Sequence, residues 1–236
     1  MIRERFHFRE TFANILADDR AHVRAAKAGM MEARQVLEAY IARDPFFAAT
    51  FDPYEPDSDD RVIIRMADAT RKAGVGPMAA VAGTIAWAGV EAMQEAGATF
   101  AVIDNGGDIA LVADRPVRVG VHAGGAALSN RIAFIVPPQE SPLGICTSSA
   151  TVGPSISFGM ADAVTIFARD VALSDAWATA VCNEIRPDNR AVLDRVDPFE
   201  VSGIFVIMGE VTVRWGELPH VVPAVVDEGL ISAGDR

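Results

Sequence analysis

An apolar run that stops at two glycines and an acid, FAVIDNGGDIAL from Phe100 to Leu111, constrains the fold more than any other stretch of the chain. Phe100 to Asn105 reads as an apolar strand, and the run from Gly106 onward reads as a second one. Asn105-Gly106 between them is the residue pair favoured in a tight hairpin turn, because glycine adopts positive φ without steric cost. The glycine pair has a second reading as well. Two successive glycines expose backbone amides and clear space against a planar ring or a phosphate.

The rest of the chain alternates strands and helices. Residues 3–17 are rich in aromatic and β-branched residues and predict a β-hairpin or a bent strand. From Arg20 to about Ala42, Val23, Ala26, Met30, Ala33, Val36, Leu37 and Tyr40 recur at helical spacing, and Asp44-Pro45 ends the pattern. Residues 50–60, with two prolines and five acids, predict a solvated loop. In a single domain spanning 1–236, that loop is the candidate linker between an N-terminal hairpin-helix unit and the remaining core. RVIIRMADAT (61–70) reads as a strand, AGVGP (73–77) as a turn and Met78 to Gly97 as a helix of small residues. Short strands follow at 131–138, 144–151 and 162–170, then a helix from Leu173 to Ile185 and two strands joined at Gly209-Glu210. The class is α+β, with strands predominating.

Composition excludes several functions. The net charge of -11 argues against a nucleic-acid backbone or an anionic membrane surface as the main partner. A phosphorylated small molecule stays open, because local amides and a metal override the global sign. MIRERFHFRE lacks the apolar core of a signal peptide, and no apolar stretch reaches the length of a membrane span, so the expected compartment is the cytoplasm. Cys146 and Cys182 lack CxxC spacing and read as buried, reduced thiols.

Chemistry has four candidate locations. In SDAWATAV, Ser174 is a natural N-cap, and Asp175 and Thr179 share one helix face, where a carboxylate and a hydroxyl suit a hard cation. An N-cap followed by an acid is also a common helix start that needs no ligand. In GVGPMAAVAG (74–83) a glycine-rich turn opens a helix, a geometry that binds phosphate or simply packs closely. NGGD (105–108) is the hairpin turn described above. CTSSATVGPS (146–155) gathers hydroxyls, a thiol and a turn at a strand end; Cys146 and His122 read as core or loop residues. Asp162 reads as a turn cap or a second acid near the site.

Taken in order, Gly76-Pro77-Met78-Ala79, Asp104-Asn105-Gly106-Gly107-Asp108, Cys146 to Ala150, Ala161 to Val164 and Ser174 to Ala180 resemble the motif series of the ApbE superfamily, the Mg2+-dependent FAD:protein FMN transferases. The resemblance is closest to the short, cytoplasmic ApbE-like proteins and covers roughly Arg61 to Asn183. It implies an α+β fold of mixed or antiparallel sheets with helices packed on them. It further implies Mg2+ held by Asp175, Thr179 and a backbone carbonyl at Ala79. FAD or FMN would be contacted by Gly76, Met78, Asn105, Gly106, Gly107, Asp108, Thr147, Ser148 and Ser149. Two positions depart from the pattern. Ala80 stands where the transferases carry a lysine, and TVGPSISFG (151–159) replaces their histidine-bearing stretch. The resemblance therefore implies a flavin or nucleotide pocket with Mg2+, without the standard transfer chemistry. If the chain is an enzyme, it would be a Mg2+-dependent transferase or hydrolase acting on a small molecule. A non-catalytic ligand-binding or assembly protein is the alternative, as is a role in sulfur or homocysteine metabolism. The apolar content suggests a homodimer.

Overall fold

The computed structural model describes residues 1–151 and 159–227. The N-terminal hairpin is β1 (Ile2–Phe8) and β2 (Thr11–Ala17). Three helices follow: α1 (Arg20–Arg43), the short α2 (Phe46–Ala49) and α3 (Arg61–Ala73). A 3-10 turn over Pro77–Ala80 runs into α4 (Val81–Glu95). Six strands come next: β3 (Phe100–Asn105), β4 (Asp108–Ala113), β5 (Val117–Gly120), β6 (Ile132–Val136), β7 (Gln139–Ser148) and β8 (Ala163–Ala168). After α5 (Val171–Glu184) come β9 (Val201–Met208), β10 (Val211–Gly216) and β11 (His220–Pro223).

Eight strands form one sheet in the order β1-β2-β3-β4-β7-β8-β9-β10, and every neighbouring pair is antiparallel. A second sheet has the order β11-β6-β5. Side-chain alternation along the central strands then defines two cores. Ala101, Ile103, Ala110, Val112, Cys146, Val164 and Ile166 pack with α1, α3, α4 and α5 on one face. Val102, Leu111, Ile145, Phe167 and Phe205 pack on the other face against Phe134 and Val136 of β6. Burial on both faces explains why these strands read as continuous apolar runs. The N-terminal hairpin belongs to the large sheet through Leu16 opposite Val102, so chain on both sides of the 50–60 loop shares one sheet.

The strand expected at 61–70 is a helix. Asp60 caps it, its side chain accepting from the Val62 N–H at 2.8 Å, and Gly74 ends it in the left-handed region at φ 76. Ile63, Met66, Ala67, Thr70 and Ala73 are buried at spacings of three and four, the period of a helix face. The β-branched start, Val62-Ile63-Ile64, masked that period. The cap, Arg71 and Lys72 in the last turn, and Gly74 were the signals that outweigh it. Asp60→Ala is expected to cost about 1 kcal/mol of stability, read from denaturant midpoints. An unchanged midpoint would mean that the cap contributes nothing to α3.

Among the described residues no single helix is long and apolar enough to cross a membrane. The α3–α4 pair passes that test only when taken together across a bend of 105°.

Candidate functional site

The β3–β4 turn, the end of β7 and the first turn of α4 meet α5 at one end of the large sheet. Asn105 pairs with Asp108 across the turn, and Asp108 pairs with Cys146 of β7. Pairing and alternation put Asn105, Asp108, Cys146 and Ser148 on the helical face of the sheet. Gly106 and Gly107 have φ of 71 and 104, which only glycine adopts without strain in a two-residue hairpin. Among the described residues, a Cβ at Gly106 would meet nothing within 4 Å, so the outer side of the turn is open.

The start of α5 differs from the sequence expectation. Asp170, not Ser174, is its N-cap, with its side chain accepting from the Leu173 N–H at 2.9 Å. Ser174 lies a turn further in and is fully buried. Its Oγ donates to the Ile166 carbonyl at 2.8 Å and accepts from the Cys146 N–H at 3.3 Å, which fastens α5 to β7 and β8. Asp175 is therefore not in the first turn of its own helix. It sits instead at the first turn of α4, where its Oδ2 accepts from the Gly83 N–H at 2.8 Å. Ala82 and Gly83 amides both favour its charged form, as expected at a helix N-terminus. Burial is the larger effect and pushes the Asp175 carboxyl up to about 7. The anion-binding end of α4 thus already holds a carboxylate of this chain.

Asp108 lies on the same face. Burial raises its carboxyl well above the usual carboxylate range, and the charges of Asp175 and Asp104 raise it further. The Cys146 thiol is fully buried, contacts the Val171 carbonyl at 3.7 Å, and is pushed up by burial and then by Asp108 and Asp175. It is a protonated, inert thiol. His122 bonds to Asn130 at 3.0 Å.

The remaining predicted residues divide between the site and its supports. Thr179 is half-buried one helical turn beyond Asp175, and Ser148 is half-buried at the end of β7; neither hydroxyl has a hydrogen-bond partner among the described residues. Met78 and Ala79 are half-buried in the 3-10 turn, with the Ala79 N–H donating to the Gly76 carbonyl at 3.0 Å. Gly76 has a structural reason to lack a side chain: a Cβ there would lie 2.1 Å from the Thr50 carbonyl oxygen. Thr147 is on the opposite face of the sheet and bonds to Thr165 across strands at 3.0 Å. Ser149 Oγ accepts from the Thr151 N–H at 3.1 Å. The Asn105 amide donates to the Ala82 carbonyl at 3.0 Å, so it supports α4. Asp162 accepts from the Thr151 hydroxyl and the Gly209 N–H, which makes it a turn cap. Of the segment that replaces the histidine motif, residues 152–158 lie outside the described residues.

Sequence reasoning named Ser174 only as a cap and carried Ala82 and Gly83 only within the glycine-rich helix start, without the contacts they make here. Gly83 carries the clearest signal, a glycine placed inside a helical run. A Cβ there would stand 2.9 Å from the Asp175 Cβ and 3.0 Å from the Val171 carbonyl oxygen.

The donor types at this end of the sheet would suit a hard divalent cation. One carboxylate, one half-buried hydroxyl and backbone carbonyls are oxygen ligands of the kind Mg2+ takes, with its other positions left to water or ligand phosphates. A cation here would also offset the burial that raises both carboxyls and the Asp175 charge that raises Asp108 further. Among the described residues no group of three or more His, Cys, Asp or Glu side chains is arranged to hold a metal. Such a cation would therefore be held by few protein charges.

Two solved structures that share this fold are ApbE proteins. The Pseudomonas stutzeri flavinyl transferase ApbE in its apo form matches with a TM-score of 0.56 at 13% identity, over 99% of this chain and 98% of that one. The ApbE protein of Thermotoga maritima matches with a TM-score of 0.57 at 12% identity, over 90% and 96%. At those identities the likeness shows the fold. A family model described as "AbpE bacteria" matches residues 3–202. The "UPF0280 protein" of Methanoregula boonei is 71% identical over 237 residues, covering 100% of both chains. That of Methanoculleus marisnigri is 59% identical, over 99% of this chain and 96% of its own. The chain belongs to the ApbE-like superfamily and, within it, to the UPF0280 family.

Proposed function

We propose that this protein binds a flavin- or nucleotide-type phosphorylated ligand together with Mg2+ at the Asp175 end of the large sheet, without the standard FMN-transfer chemistry. The observation that carries this reading is the buried Asp175 carboxylate, held by the Gly83 N–H at 2.8 Å at the start of α4, with the half-buried Asp108 on the same face of the sheet and both carboxyls raised. Asp175, Thr179 and a carbonyl near Ala79 would hold the cation. Bound there, Mg2+ would neutralise phosphate charge. Among the described residues the side of Gly106 is open, which leaves room for the ligand, and Ser148 offers on the same face a hydroxyl with no partner among them. The amides of the α4 start serve Asp175, so phosphate would be recognised through the cation rather than by the helix end. No residue in the described site is placed as an activated nucleophile: Cys146 is buried and protonated, and His122 is engaged with Asn130. Binding without transfer is therefore the reading the site favours.

Calorimetric titration of FAD, FMN and ADP, with and without Mg2+, tests it. The expected result is micromolar binding that requires Mg2+ and is lost in Asp175→Ala. Absence of binding for all three ligands in both conditions would leave the kinship with ApbE as one of fold.

A further inference from the structure

We propose that the β10 edge of the large sheet is a contact between two copies of this chain, which pair their β10 strands antiparallel about a twofold axis at Val213. The sheet is open, with β1 at one edge and β10 at the other. An edge strand presents backbone N–H and C=O groups that no neighbour receives, and native proteins protect such edges with charge. β1 is protected in that way. Its sequence, IRERFHF, holds Arg3, Glu4 and Arg5, and Lys27 bonds to Glu4. A second β1 laid antiparallel on it about Glu4 or Arg5 would set like charges face to face. β10, VTVRWG, carries Arg214 as its only charge and has no proline. The turn at Gly209 and Glu210 has two residues, so Met208 and Val211 close it as a hydrogen-bonded pair. Alternation then turns the backbone groups of Val211, Val213 and Trp215 towards β9, and those of Thr212 and Arg214 outward. Among the described residues no hydrogen bond outside the β9 ladder reaches Thr212 or Arg214.

Self-complementarity singles out a second copy as the occupant. With the axis at Val213, the outward groups of Thr212 meet those of the partner's Arg214, and symmetry supplies the reverse pair. Val213 and Trp215 lie on the helical face, within or against the first core. There Val213 meets its own copy, and Val211 meets the partner's Trp215, an aromatic and β-branched pair of the kind that stabilises sheets. Val211 is 39% exposed in the single chain, and this pairing covers it. On the other face Thr212 stands beside the partner's Arg214. The Arg214 guanidinium of each copy already lies 5.6 Å from the centre of its own Phe205 ring, across the β9–β10 ladder. No like charges meet in this register. Moving the axis to Arg214 would set that guanidinium against its own copy.

The test is sedimentation velocity of the full chain over a range of concentrations, with a species of twice the 25.1 kDa chain mass expected as concentration rises. Thr212 is exposed, so its substitutions leave the core intact. Thr212→Lys sets a second cation beside the partner's Arg214, twice over, and is expected to raise the dimer dissociation constant about tenfold. Thr212→Glu sets opposite charges there and is expected to lower it severalfold. Amide hydrogen exchange at Thr212 and Arg214 in the unmodified protein should slow as concentration rises. A monomer at every concentration overturns the proposal. A dimer that neither variant changes places the contact elsewhere and overturns it too. Weakening by Thr212→Glu overturns the stated axis, because the new carboxylates would then face each other. Exchange at the two amides that does not depend on concentration overturns the proposal whether or not the variants fold; if those amides are protected throughout, the edge is covered from within the chain.

Discussion

Replacing Asp175 with asparagine is expected to stabilise the metal-free protein at pH 8 by a few kcal/mol and to leave it almost unchanged at pH 4. The ordinary carboxyl ionises near 3.8, and burial moves it to about 7 in the folded chain. Below the lower value both states carry the proton, and the carboxyl costs nothing. Between the two values the unfolded chain releases its proton while the folded chain keeps it. Stability therefore falls as pH rises, by about 1.4 kcal/mol per unit, and the loss is complete above the folded value. Asparagine is neutral throughout, and its oxygen can still accept from Gly83. Asp108 shares the effect, because removing the Asp175 charge lets its own carboxyl ionise more easily. Saturating Mg2+ should reverse the order at pH 8, since the cation stabilises only the ionised wild-type side chain. Urea midpoints at pH 4, 6 and 8, with and without Mg2+, check this; parallel curves for the two proteins would show that Asp175 carries no buried charge. Asp175→Ala also strands the Gly83 N–H, so it is expected to lie about 1–3 kcal/mol below Asp175→Asn at any pH.

Gly144→Val is the second large effect. Gly144 in β7 faces the start of α5, and a Cβ there would lie 2.8 Å from the Val171 Cα and 2.9 Å from the Ser174 Cβ. Neither atom is the end of a flexible side chain. The helix must lift from the sheet, which breaks the bonds from Ser174 Oγ to Ile166 and Cys146. The expected cost is about 3 kcal/mol or more, at the upper end for overpacking. Because α5 carries both Asp175 and Thr179, Mg2+-dependent ligand binding should disappear with it. Thermal unfolding and titration of the same preparation check both. An unchanged melting temperature would mean that α5 is not seated against β7 as described.

Much of the fold is local and was legible. The N-terminal hairpin, α1, the Asn105–Asp108 turn and the β9–β10 hairpin follow from period, caps and turn residues that act within a few positions of one another. Two readings failed where one local signal masked another. Val62-Ile63-Ile64 suggested a strand, although Asp60 and Gly74 bracket a helix. Ser174 suggested an N-cap, although Asp170 four residues earlier starts the helix and Ser174 goes to the sheet.

The sequence by itself determined the candidate residues and their order along the chain, because glycine turns, capping acids and apolar periods are properties of neighbouring residues. Only the tertiary structure decided what those residues do. It set the Asp175 carboxylate on the first turn of a helix some ninety positions earlier, turned Asn105 from the open side of its hairpin towards Ala82, and placed Thr147 on the far face of the sheet. The physical reason is that a side chain's charge state and partners depend on burial and on amides brought from distant segments, and neither is encoded by spacing along the chain.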